Sequence, residues 1–279
     1  MRDSPGLRAR RFLARTLPAL ALPLATLAGA AGPVPDVFPD VGAAYFVTVD
    51  DRPVFGAQAQ RALPPASLAK IMTALLVAEH DAPDAVVTVS ARAAAAPGAR
   101  AGLRAGERWR AGDLLAAMLL ASANDACLAL AEHAAGTEHA FVAQMNRRAQ
   151  ALRLAATSFA NACGHDAPGM LTTALDLAQL APVALRQEAI AQAARTEAHS
   201  IRAIGGRTIR LRNTNAFVGR VPGVTGLKTG YTRLAGRNLV LTAERDGHRV
   251  TVILLGARDR WWDAAAMLER AFDTVRAGR

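Results

Sequence analysis

Pro64-Pro65-Ala66-Ser67-Leu68-Ala69-Lys70-Ile71-Met72-Thr73-Ala74 marks the point where an extended segment gives way to a helix. Two prolines close the extended part, and Leu68, Ile71, Met72, Leu75 and Leu76 recur at helical spacing over Ser67 to Glu79. Ser67 sits at the N-terminal end of that helix. Lys70 lies three residues on, so the two side chains share a face. A serine hydroxyl is a poor nucleophile until a neighbour takes its proton. A lysine can do so once burial and a second nearby cation have lowered its pKa. By itself Ser-x-x-Lys is also what an ordinary helix surface carries.

Working outward, Ala43 to Val49 reads as a strand, and Asp50-Asp51-Arg52-Pro53 turns it back into a short strand at Val54 to Gly56. From about Ala91 to Arg195 the chain is rich in alanine and leucine and reads as mostly helical. Helices are expected over Ala111 to Leu120, Asp125 to Ala135, Glu138 to Leu152 and Thr173 to Ala181. The pattern then reverts. Ser200 to Ile204 and Arg207 to Leu211 flank Gly205-Gly206. Gly226 to Thr232 is short and extended. Asn238 to Glu244 and Val250 to Leu255 flank Asp246-Gly247, a strong tight-turn signal. Trp261, Ala265, Leu268, Phe272 and Val275 then line one helical face. The fold class expected is α/β of the α+β type. A mostly antiparallel sheet comes from N- and C-terminal segments, flanked by helices, with an all-helical lobe (91–195) inserted between them. A cleft between sheet and lobe is the natural place for a site.

The chain has 279 residues and is 52% hydrophobic, enough for a substantial core. Arg2, Arg8, Arg10, Arg11 and Arg15 precede an apolar run from about Leu17 to Leu27 and the small residues Ala28-Gly29-Ala30-Ala31. That is the layout of a secretory leader over residues 1–30, too short to read as a membrane span. A linker over 31–42 and one domain over 43–279 follow. Without the leader's five arginines and one aspartate, the formal net charge of +10 becomes +6. The remaining arginines are scattered, with no aromatic interleaving, which argues against nucleic acid as a partner. Attraction to anionic cell-envelope polymers fits better. The six histidines form no metal-binding spacing, and no metal or other cofactor is expected. Cys127 and Cys163 do not make a disulfide framework. Cys127 lies in an apolar helical run and is expected to be a buried thiol.

Only two of the 33 basic residues are lysine, Lys70 and Lys228. A guanidinium stays charged at any ordinary pH, whereas a desolvated ammonium can lose its proton. Lys228 opens Lys228-Thr229-Gly230, in an extended segment read as an edge strand. Gly230 there lets another backbone approach closely, and an extended substrate could pair with the edge. Lys228 is expected to keep its charge, to meet a carboxylate, and to depress the pKa of Lys70. Ser122-Ala123-Asn124 sits between two helical runs and, taken alone, reads as a helix cap.

The three motifs in this order, Ser-x-x-Lys, Ser-x-Asn and Lys-Thr-Gly, resemble the signature of the penicillin-binding and serine β-lactamase superfamily. Residues 64–74, Ser122-Ala123-Asn124-Asp125-Ala126, Gly226 to Thr232 and Ala235-Gly236-Arg237-Asn238-Leu239-Val240 resemble the low-molecular-mass D-alanyl-D-alanine carboxypeptidases. The resemblance implies that Ser67 attacks the bond between two terminal D-alanines of a peptidoglycan stem peptide. Lys70 would be the base, and Ser122 the relay to the leaving amine. Asn124, Lys228, Thr229, Gly230 and Tyr231 would bind substrate, with the N–H groups of Ser67 and Tyr231 as oxyanion hole. β-Lactams would acylate Ser67 as covalent inhibitors.

The chain departs from the family in two places. The β-rich C-terminal domain and amphipathic membrane helix of many relatives are not expected here. Pro168-Gly169-Met170-Leu171 stands where relatives often carry a His-Tyr pair. No Glu-x-x-Leu-Asn loop lies between Asn124 and Lys228, which argues against a class A β-lactamase. A D,D-endopeptidase of the same family and a non-catalytic β-lactam sensor remain as alternatives; the intact motifs argue against the sensor.

Overall fold

Alternating side chains along three long segments build the centre of the molecule. The computed structural model describes residues 34–277. The expected leader lies outside the described residues. β1 (Ala44–Val49) pairs with β2 (Arg52–Ala57) through Asp50-Asp51, both at positive φ (49° and 63°). Two consecutive left-handed residues give a turn whose twist matches that of the flanking strands. The turn is therefore shorter than the expected Asp50 to Pro53, and Arg52 and Pro53 belong to β2. Pro53 is tolerated because β2 is an edge strand and does not need every N–H.

The next strands are short. β3 (Val86–Thr88) and β4 (Arg108–Arg110) form a small antiparallel pair. β4 interrupts a region expected to be helical. Its reason is visible in the residues: Trp109 is fully buried between exposed Arg108 and Arg110, a period of two. β5 (Ala198–Arg202) and β6 (Thr208–Arg212) form the expected hairpin across Gly205-Gly206.

β7 (Val224–Thr232), β8 (Gly236–Arg245) and β9 (His248–Ala257) complete the main sheet, with Asp246-Gly247 turning β8 into β9. The sheet order is β2-β1-β9-β8-β7, and every neighbouring pair is antiparallel. β9 lies between β1 and β8, so the sheet joins the two ends of the described chain, as expected.

On one face sits the helical lobe. A 3₁₀ turn (Ala66–Ala69) leads into α1 (Lys70–His80). There follow α2 (Ala91–Ala94), α3 (Ala111–Leu120), α4 (Asn124–Ala135), α5 (Glu138–Ala151), α6 (Ala174–Leu185) and α7 (Glu188–Arg195). α1 is buried on nearly every side, from Lys70 through Leu75 and again at Val77, so it is the axle of the lobe. Side-chain caps start three of these helices: Ser90 accepts from Ala93 N–H, Thr137 from Ala140 N–H and Thr173 from Asp176 N–H.

On the other face lies α8 (Arg260–Ala277). It buries Ala264, Met267, Leu268, Ala271 and Phe272, with Trp261 and Val275 at the margins. Ala265, expected in the stripe, is exposed. The true stripe follows pairs three and four residues apart, which centres it on 264, 268 and 271. Among the described residues no helix is long and apolar enough to cross a membrane.

Cys127 is buried in α4, as expected, but it is not a thiol. It is bonded to Cys163, with the Cα atoms 5.9 Å apart. The irregular segment 152–173 folds back over the start of α4 and brings the two together. Their separation of 36 residues in the chain carried no sign of this.

Candidate active site

The position of Ser67 begins with two prolines that have no N–H to offer. The carbonyls of Pro64 and Pro65 both accept from Asn238 Nδ2, at 3.0 and 3.1 Å. Asn238, fully buried on β8, accepts from Gly256 N–H through Oδ1 at 2.8 Å. One amide thereby ties the segment before Ser67 to two strands of the sheet. Ala66 then takes a left-handed conformation (φ 50°), unusual for a residue with a Cβ. Gly164 packs against it: a Cβ there would lie 1.9 Å from the Ala66 carbonyl oxygen, and Gly164 itself has φ 87°. Both sterics and backbone require glycine at 164.

Lys70 is completely buried, and its Nζ lies 3.0 Å from Ser67 Oγ. The same Nζ donates to the Cys163 carbonyl at 2.6 Å. Burial, and after it the charge of Lys228, holds the Lys70 ammonium well below its ordinary pKa. The amine next to the serine is thus suited to accept a proton. His165, on the loop beyond Cys163, is also lowered, by burial and then by Lys70.

β7 forms the opposite wall. Lys228 is 1% exposed, and its ammonium donates to the Thr229 carbonyl at 3.0 Å. Burial, followed by the Arg260 guanidinium, lowers its pKa to about 7. It was expected to keep its charge. A carboxylate bound beside it would favour the charged form. Thr229 Oγ1 lies 2.8 Å from Thr214 Oγ1. A Cβ on Gly230 would stand 3.2 Å from Ser67 N and Pro65 O. The backbone of β7 therefore passes directly against the backbone of Ser67. Tyr231, the next residue, is 67% exposed.

Ser122 lies in the connection between α3 and α4, and Asn124 is the first residue of α4. The helix-cap reading fails here. The N-cap position of α4 is Ala123, no side chain caps it, and Ser122 is left-handed (φ 57°). Asn124 Nδ2 donates to Pro97 O at 2.6 Å, while its Oδ1 is buried without a partner among the described residues. An amide oxygen left so is available to a ligand N–H. Asp125, fully buried, pins the neighbouring loop by accepting from the N–H groups of Ala101, Gly102 and Leu103.

The fold thus brings Ser67, Lys70, Lys228, Thr229 and Gly230 together where β7 meets the start of α1. Asn124 adjoins them through Cys163, whose Sγ lies 3.8 Å from the Asn124 carbonyl. Three participants escaped sequence reasoning. Asn238 lay inside a quoted motif but had no role assigned. Thr214 had no signal. Arg260, whose Nη1 donates to Gly230 O at 3.0 Å and Asn238 O at 3.3 Å, looked like one scattered arginine among many. Among the described residues no group of three or more His, Cys, Asp or Glu could hold a metal ion.

The family model described as D-alanyl-D-alanine carboxypeptidase, Peptidase S11, matches residues 39–259. D-alanyl-D-alanine carboxypeptidase DacF of Bacillus subtilis is 35% identical over 218 residues, covering 75% of this chain and 56% of that protein. DacC of Escherichia coli is 34% identical over 235 residues, covering 78% of this chain and 58% of that protein. The chain therefore spans little more than half the length of these curated relatives. The crystal structure of the Streptomyces K15 DD-transpeptidase superposes with a TM-score of 0.80, covering 87% of this chain and all of that one. At 24% identity that likeness speaks for the fold alone.

Proposed function

The chain belongs to the D-alanyl-D-alanine carboxypeptidase family, Peptidase S11, and from that premise we propose that it is a serine D,D-carboxypeptidase acting on peptidoglycan stem pentapeptides. The observation that carries the reading is a fully buried Lys70 amine, lowered in pKa, 3.0 Å from Ser67 Oγ.

In this mechanism Lys70 takes the Ser67 proton as Oγ attacks the carbonyl between the two terminal D-alanines. The N–H groups of Ser67 and Tyr231, on backbones that Gly230 allows to touch, receive the developing oxyanion. Lys228 and Thr229 hold the terminal carboxylate, and Asn124 Oδ1 accepts from the substrate amide. Ser122 passes the proton to the departing D-alanine. Water then cleaves the acyl-enzyme. A β-lactam enters by the same attack and remains as a covalent inhibitor.

Residues 1–30 serve as an export leader, 31–42 as a linker and 43–279 as the catalytic domain, placing the enzyme in the extracytoplasmic envelope. The Cys127–Cys163 bond supports that location, since disulfides persist in oxidising compartments. Nucleic acid forms no part of this reading.

The test is release of free D-alanine by the purified protein from a pentapeptide ending in D-Ala-D-Ala. Ser67→Ala is expected to abolish it. Cleavage of cross-linked dimers without D-alanine release would replace the reading with an endopeptidase. Rapid repeated hydrolysis of penicillin would replace it with a β-lactamase.

A further inference from the structure

A neutral amine has two N–H bonds and one lone pair. To accept the serine proton, the lone pair of Lys70 must face Ser67 Oγ. What fixes that orientation is whichever acceptor takes an N–H on the other side. Here it is the carbonyl of Cys163, at 2.6 Å. This is a backbone atom of an irregular loop, so its position is only as good as the fastening of that loop.

Several groups fasten the loop. Asn161 Oδ1 accepts from the N–H groups of Gly164 and His165, at 2.8 and 2.9 Å. Thr73 Oγ1 donates to Ala162 O at 2.6 Å. Asp166 accepts from Thr232 Oγ1 at 2.6 Å. One link is covalent, and it belongs to Cys163 itself. Its partner Cys127 is one turn along α4 from Asn124, and Cys163 Sγ rests on the Asn124 carbonyl.

We propose that the Cys127–Cys163 disulfide is a positioning device for the reaction: it holds the Cys163 carbonyl where it turns the Lys70 lone pair onto Ser67, and ties that carbonyl to the helix that presents Asn124. The inference rests on the reading of Lys70 as base. A dithiol reductant converts the bond into two thiols and is itself oxidised to a disulfide, one electron and one proton passing to each cysteine sulfur. A cleft of about 270 Å³, lined by Arg92, Pro97, Leu128, Cys163 and His165 among others, lies beside the bond, whose two cysteines are themselves buried. Once released, the loop keeps its weaker ties and the amine loses its fixed orientation.

The experiment is acylation by a fluorescent penicillin, followed over a range of concentrations. The oxidised protein is compared with dithiothreitol-treated protein and with the double variant Cys127→Ser, Cys163→Ser. Free thiols are counted, and folding is checked by circular dichroism. The limiting acylation rate is expected to fall about 10- to 100-fold, the scale of a misplacement of ~1 Å. The half-saturating concentration is expected to change less than about twofold, because ground-state binding is untouched. Reoxidation restores the rate of the native protein and leaves the double variant slow. An unchanged limiting rate in folded, reduced protein overturns the inference. So does a change confined to the half-saturating concentration, and so does unfolding of both reduced forms, which would make the bond a staple of the fold instead. Absence of acylation in the oxidised protein sinks the Ser67 reading and takes this inference with it. Normal acylation that ignores the bond sinks the inference alone.

Discussion

The two faces of the five-stranded sheet are made from alternate residues of the same strands, and they have been put to different uses. Toward α8 point Tyr45, Val47, Leu239, Leu241, Val252 and Leu254, packed on Met267, Leu268 and Phe272. Toward the lobe point Phe46, Val240 and Ile253. In the strand register Lys228 lies opposite Val240, and Gly230 opposite Asn238. On that side a buried lysine, a buried asparagine and a closely approached glycine replace what on the other side is hydrocarbon. Apolar burial favours folding, whereas a buried amine works against it. The α8 face therefore supplies stability, and the lobe face trades some of it for chemistry.

That contrast breaks most easily at Lys70. Lys70→Arg keeps the charge but cannot accept a proton, so penicillin acylation is expected to fall about 10²- to 10⁴-fold. Circular dichroism should still show a folded protein. Near-normal acylation in that variant would remove Lys70 as base and blur the division between the faces.

On the opposite face Leu268→Ala is expected to cost about 2–5 kcal/mol in chemical denaturation. The acylation rate per folded molecule should not change. If the rate falls along with stability, the two faces are coupled and the comparison fails.

The smallest effect sharpens the claim that the lobe face carries a cost. Folded Lys228 loses its proton near pH 7, while the unfolded chain holds it to the ordinary 10.5. Between those values the unfolded state binds more protons, so stability rises with pH across that window. The rise attributable to this lysine is on the order of 1 kcal/mol per pH unit at most. Denaturation at pH 7 and pH 9.5 should show it, and Lys228→Met should flatten it. An identical slope in the variant would mean that folded Lys228 keeps its proton across that window just as the unfolded chain does.

Local chemistry and the joining of the two ends in one sheet were legible in the sequence, and the individual long-range contacts were not. Gly205-Gly206 and Asp246-Gly247 announce their hairpins because each turn needs residues that tolerate positive φ. The motifs containing Ser67, Lys70, Ser122, Asn124 and Lys228 are short, and each lies on one element. Trp109 was missed because a three-residue strand has too little alternation to stand out from a helical background. The Cys127–Cys163 pairing depends on how an irregular loop folds back, which no periodicity encodes. Ser122 resembles a helix cap in its residue type, but its backbone is committed to a left-handed turn. Asn238 is hardest of all to read, since its partners, Pro64 and Pro65, lie 174 and 173 residues earlier in the chain.

That last distance bears on how the protein comes into being. β1 lies beside β9, with Ala44 opposite Leu255, and the segment ahead of the serine is held by an asparagine from β8. A chain made from its N-terminus delivers the serine early and its fastening late. Contacts between such distant segments form slowly, because a long loop must close before any of them is rewarded. The helical lobe can organise first from local contacts, but Ser67 has no finished setting until β8 and β9 arrive. A ribosome-bound fragment should therefore be blind to penicillin, and the power to be labelled should appear abruptly when the last strands reach the sheet.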